Sequence, residues 1–172
     1  MDIVASIVAD SSKDNILAIA QQFIRGELKL PSYIHLLEDN DPSISFRFIW
    51  LLEHIALQKP DLVYKHLNYI YSLRNQLHYP GYKRGLAKLI SVCGFPERLE
   101  GELVELLFDY LNDSNSDIAA KVFAMQALSN ICLKYPELSN ELIASIESQY
   151  EMGTAAFKLR ANRLLPKLEK LA

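Results

Sequence analysis

The chain has 172 residues, half of them hydrophobic, and a formal net charge of -3 at pH 7. That length and apolar share suffice for a continuous buried core and exclude an intrinsically disordered chain. A charge so near neutral gives no global attraction to nucleic acid or to an anionic membrane surface, so any electrostatic function must rest on local segregation.

The first ten residues are apolar but carry Asp2 and no basic cluster, and the run is too short for an export signal or a membrane span. The expected location is cytoplasmic, with no membrane partner. A short first pair of helical segments is expected at Lys13–Arg25 and Pro31–Glu38. Asp41 then stands as cap or first-turn acid of a helix over Pro42–Gln58. Pro60-Asp61 opens the next helix, whose apolar stripe is Val63, Leu67, Ile70 and Tyr71. The third pair comprises Tyr79–Cys93 and a helix opened by Pro96-Glu97, with Leu99, Leu103, Leu106, Leu107 and Tyr110 on its stripe. The fourth comprises Ser116–Lys134, with Asp117 in the capping role, and a helix opened by Pro136-Glu137, with Leu138, Leu142, Ile143, Ile146 and Tyr150. Thr154–Leu171 reads as a terminal helix or kinked pair around Pro166, kept wet by Lys158, Arg160, Arg163, Lys167 and Lys170.

The phasing is regular. The three proline-acid dipeptides are separated by 36 and then 40 residues, and Asp41 and Asp117 each precede their proline by nineteen. A period of about 40 residues, paired helices, a proline near one turn and an acid opening the first helix resemble the HEAT/armadillo-like helical-repeat superfamily. The resemblance implies an all-α fold, an α-α superhelix in the form of a short solenoid of about four antiparallel helix pairs with a C-terminal capping helix. One domain over residues 1–172 is expected, with pairs near 13–38, 41–74, 79–112 and 116–151 and a cap at 154–171. The architecture also implies a scaffold that binds a protein or peptide rather than an enzyme.

No motif points to chemistry. His35, His54, His66 and His78 form no metal-ligand spacing with one another or with cysteine, and no nucleophile elbow, phosphate-binding loop or dinucleotide fingerprint occurs. No catalytic residue, metal or cofactor is expected. The acids Glu97, Glu100, Glu102, Glu105, Asp109 and Asp113 mostly fall opposite the leucine stripe of their helix, on its solvent face. Cys93 and Cys132 sit in apolar runs at corresponding places of two repeats, as buried reduced cysteines do.

Charge is segregated locally. Between Asp61 and Glu97 there is no acid, but Lys65, Arg74, Lys83, Arg84 and Lys88 are interleaved with Tyr64, Tyr69, Tyr71, Tyr79 and Tyr82. Residues 97–151 carry eleven acids against three bases. Arg47, Arg84 and Arg160 fall at similar places of their helices, as ladder positions of a solenoid do. The candidate partner-binding residues are therefore Arg47, Tyr64, Arg74, Tyr82, Lys83, Arg84 and Arg160, forming a face rich in tyrosine, arginine and lysine for a protein or peptide partner. Two other readings stay open. Tyr71 and part of the set belong to the core while the lysines balance the acidic helix; or the basic stretch contacts nucleic acid, as in DNA glycosylases that resemble HEAT-like folds and use Trp, Asp and Arg. Against the latter, Trp50 lies within an apolar run that reads as core.

Overall fold

The computed structural model describes residues 2–79 and 81–172. Position 80, inside the segment expected to be helical from Tyr79, lies outside the described residues, as does position 1. The described residues hold ten α-helices and no strand: α1 Ile3–Ala9, α2 Lys13–Arg25, α3 Pro42–Gln58, α4 Pro60–Tyr64, α5 Leu67–Ser72, α6 Tyr82–Cys93, α7 Glu100–Asn112, α8 Ile118–Ile131, α9 Ser139–Tyr150 and α10 Ala155–Leu168. The all-α helical-repeat class expected from the phasing is what the chain adopts.

The helix ends follow local chemistry. Ser12, Asp41, Asp117 and Thr154 each sit in extended backbone, and their side-chain oxygens accept from the amides of Asn15, Ser43, Ala120 and Phe157, satisfying donors that the first turn leaves open. Helix α2 stops at Gly26, whose φ of 80° is left-handed. Pro42 and Pro60 take the first positions of α3 and α4. The other two proline-acid dipeptides behave differently. Glu97–Leu99 and Pro136–Leu138 are single 3-10 turns that lead into α7 and α9. The segment expected at Pro31–Glu38 is likewise two 3-10 turns, Leu30–Ser32 and Ile34–Glu38. The helix after Pro60 breaks into α4 and α5 around Lys65 and His66.

The chain divides into two compact units, Met1–Cys93 and Gly94–Ala172. The division falls within the pair expected at 79–112. In the first unit α3 is central, with α2, α4, α6 and the Ile34–Glu38 turn packed around it. That position explains its sequence. Phe48, Ile49, Leu51, Leu52, Ile55 and Ala56 are fully buried and point in several directions around the axis, as a helix surrounded by neighbours requires. In the second unit α8 packs against α7, α9 and α10. Its alanines Ala120, Ala124 and Ala127 are fully buried.

Two further features fix the character of the units. Cys93 is half-buried and Cys132 buried, both as free thiols. Burial pushes the Cys93 thiol up to about 12 and the Cys132 thiol upward as well. Among the described residues no helix is long and apolar enough to cross a membrane.

At Gly85, α6 lies close against α3: an added Cβ would lie 2.5 Å from Ile49 Cδ1. Gly85→Ala is therefore expected to force Ile49 aside and cost about 1–3 kcal/mol by urea denaturation, the range for overpacking a filled core. Adding Ile49→Val should recover part of that loss.

Candidate functional site

Where α6 lies against α3, a carboxylate is buried beneath two cations. Glu53 of α3 is 2% exposed, and its oxygens accept from Arg84 Nη2 at 3.2 Å and Lys88 Nζ at 2.9 Å, both on α6. Taking a carboxylate out of water is expensive, and two charged donors make the burial tolerable. The two cations keep more contact with water, at 26% and 19% exposure, so the trio presents net positive charge outward.

The neighbouring turns of α3 add rings and another cation. The Arg84 guanidinium lies 5.6 Å from the centre of the Phe46 ring, within cation–π range. Phe46, Arg47 and Trp50 are all half-buried, and with Ser11, Pro42 and Ser43 they line an open hollow of about 450 Å³. Arg47 Nη1 donates to the Ser43 carbonyl at 3.2 Å, which lays the side chain back along its helix. One turn beyond Trp50, the His54 ring sits 5.5 Å from the indole at an interplanar angle of 57°. His54 Nε2 is buried without a hydrogen-bond partner. Burial, reinforced by the nearby Lys88 charge, pulls the imidazole below its ordinary value, so it is neutral at pH 7.

The residues expected to bind a partner are distributed as follows. Arg84 lies against the Phe46 ring, and Arg47, the next residue of α3, lines the hollow. Tyr64 is 37% exposed at the end of α4. Arg74 lies over the Tyr71 ring at 4.0 Å, and Tyr71 itself is core at 7% exposure. Lys83 is exposed on α6. Arg160 belongs to the second unit, where its Nη1 donates to Gln126 Oε1. Tyr82 needs correction: at 2% exposure, with its hydroxyl donating to the Ile70 carbonyl, it is a core residue that ties α6 to α5. A tyrosine at the first position of a helix reads as surface, but here its ring is long enough to cross to the neighbouring helix and find an acceptor.

Trp50 is misplaced in the opposite sense. Its apolar neighbours suggest core, yet it stands half-exposed. The signal was the spacing of Ser43, Arg47, Trp50, His54 and Leu57, a three-to-four-residue stripe that mixes polar and apolar types and that the structure leaves facing outward. Glu53 and Lys88, absent from the expected set, carry its electrostatics.

On α7 and the turn that leads into it, the acids behave as solvated-face residues. Glu97, Glu102, Glu105 and Asp109 are exposed. Glu100 accepts from Lys134 Nζ at 2.7 Å and the Tyr135 hydroxyl at 2.7 Å, and those bonds hold its carboxyl below the ordinary range. Among the described residues no group of three His, Cys, Asp or Glu could hold a metal ion.

Two measurements probe this site. Removing the carboxylate in Glu53→Ala strands two cations, and thermal or urea unfolding should show a loss of about 2 kcal/mol, below the 3–5 of fully buried pairs because both cations retain solvent. His54 and His66 both have folded-state values below their ordinary ones. Protonation therefore favours the unfolded chain: their contribution is complete above about pH 6.5 and is lost as pH falls through and below it. The melting temperature should fall between roughly pH 6.5 and 5, and less steeply in His54→Gln.

A family model described as a HEAT repeat domain matches residues 5–168. No curated protein and no solved structure matches the chain.

Proposed function

Because the chain belongs to the HEAT repeat domain family, we propose that it is a non-enzymatic cytoplasmic scaffold that holds a peptide segment of a protein partner on the α3–α6 face of its first unit. Family membership supplies the helical-repeat scaffold; the α3–α6 face supplies the site. The observation that carries the reading is the hollow formed by Phe46, Arg47 and Trp50, with the Arg84 guanidinium 5.6 Å from the centre of the Phe46 ring.

Each part has a role in recognition. Trp50 and Phe46 offer rigid apolar surface that orders few rotatable bonds on binding, the property that concentrates binding energy in aromatic anchors. Arg47 and Arg84 offer planar donors suited to a carboxylate. Glu53 holds Arg84 and Lys88 from below, so little side-chain freedom remains to be lost when a ligand arrives. The segment that fits is one with an apolar side chain beside an aspartate or glutamate. Arg47 and Arg84 are the members of the expected set assigned to this contact.

Trp50 is the one tryptophan of the sequence, so its fluorescence reports on this face. Titration with a short peptide carrying a leucine beside two glutamates should shift its emission saturably. Arg47→Glu should weaken the interaction at least tenfold, about 1.4 kcal/mol, while leaving the circular dichroism unchanged. If single-stranded DNA instead gave the saturable, salt-dependent shift and the peptide none, the protein-partner reading would give way to nucleic-acid binding.

A further inference from the structure

The second unit repeats the α3–α6 arrangement with its counter-ion missing. Asp41 and Asp117, 76 positions apart, cap α3 and α8, and the same offset carries Arg84 on α6 to Arg160 on α10 and the close-packed Gly85 to buried Ala161. Across the groove it replaces Glu53 with Ser129, Trp50 with Gln126 and His54 with Asn130. Arg160 keeps its reach onto the facing helix but meets a neutral amide: its Nη1 donates to Gln126 Oε1, and Gln126 Nε2 donates onward to Asn130 Oδ1 at 2.9 Å. Burial and the neighbouring Arg163 charge both act against its positive charge, with no carboxylate among the causes that shift it.

Next to this amide relay is a groove of about 360 Å³ between α8 and α10. Asn130 and Ser129 lie on one side, Lys167 and Lys170 on the other, with Leu133, Leu164 and Leu171 among them. Leu133 is 73% exposed. No acid lines the groove, and among the described residues Arg160, Arg163, Lys167 and Lys170 form no ion pair. A half-buried guanidinium seated where the first unit supplies a carboxylate, beside a groove that is cationic and apolar together, has a complementary ligand of definite chemistry.

We propose that the α8–α10 groove is a docking site for an acidic peptide, whose carboxylate takes at Arg160 the place that Glu53 takes at Arg84 in the first unit. Arg160 and Lys167 are seven residues apart on one helix, about 10.5 Å along its axis at 1.5 Å per residue. An extended peptide advances about 3.3 Å per residue, so two acids three positions apart span the two cations. Apolar side chains between or beside those acids fall on the exposed Leu133 and the half-buried Leu171. The leucines favour a peptide over a nucleic acid, whose phosphates would satisfy the cations but leave that apolar surface uncovered. The site goes beyond the α3–α6 reading and does not rest on it.

The test uses the full chain and a fluorescein-labelled decapeptide with two glutamates three residues apart flanking leucine, followed by fluorescence anisotropy. Two variants separate the outcomes from misfolding. Gln126→Glu is isosteric and gives Arg160 an internal counter-ion, so it should raise the melting temperature and weaken the peptide at least tenfold. Arg160→Gln should weaken it comparably, with the helical circular dichroism retained. The same titrations are repeated in an Arg47→Glu background, in which the α3–α6 face no longer takes such a peptide, so the binding that remains belongs to the α8–α10 groove and failure of one site is distinguishable from failure of the other. The proposal is overturned if folded Gln126→Glu and Arg160→Gln bind the peptide within twofold of the parent chain. It is equally overturned if an oligothymidylate of matched charge competes as well as the peptide, which would reduce the groove to a general polyanion surface.

Discussion

The first unit is organised around one buried carboxylate. Glu53 sits on the helix against which α1, α2, α4, α6 and the Ile34–Glu38 turn all pack, and it draws Arg84 and Lys88 of α6 down onto α3. Its neutralisation requires α6 to lie close and in register, which the missing side chain of Gly85 permits. A hydrophobic contact there would hold the helices together without fixing how one is rotated against the other. A charge under two specific donors fixes both, and leaves the Phe46 and Trp50 rings ordered at the edge.

The scaffold was legible because its signals are local. Asp41, Asp117 and Ser12 declare helix starts through bonds to residues two or three positions away, and Gly26 declares a stop through the conformation it adopts. The period of the proline-acid dipeptides then counts the repeats. The kind of helix that follows each proline was less legible. Pro96 and Pro136 lead into 3-10 turns, and one turn of 3-10 or α-helix places a proline and an acid in much the same way.

The surface was legible only in part, for a physical reason. Periodicity identifies one apolar face, but α3 is covered on several sides, and nothing local says which stripe stays open. Trp50 and Tyr82 show the ambiguity from both directions. Each is a large ring with one polar atom, fit for a core or for a rim. Tyr82 became core because the Ile70 carbonyl lies within reach of its hydroxyl, whereas Trp50 faces a hollow. The balance of charge was misread for a related reason. The cations of residues 62–96 look like partners for the acids that follow in sequence. Arg84 and Lys88 instead meet Glu53, from a helix earlier in the chain, and Glu100 meets Lys134, from the turn that follows α8. Partners in a helical repeat are set by stacking, about one repeat away, rather than by adjacency in sequence.

The two thiols provide one natural reporter for each unit. Cys93 ends α6 in the first, and Cys132 caps α8 in the second; burial suppresses thiolate formation at both. A thiol-specific label therefore reacts slowly with both sulfurs in the folded chain and faster when the helix carrying that sulfur opens. With the sites of modification separated by mass spectrometry, the two labelling rates become two opening free energies. Equal values would describe units that unfold as a single body, and unequal values would say which end of the repeat gives way first.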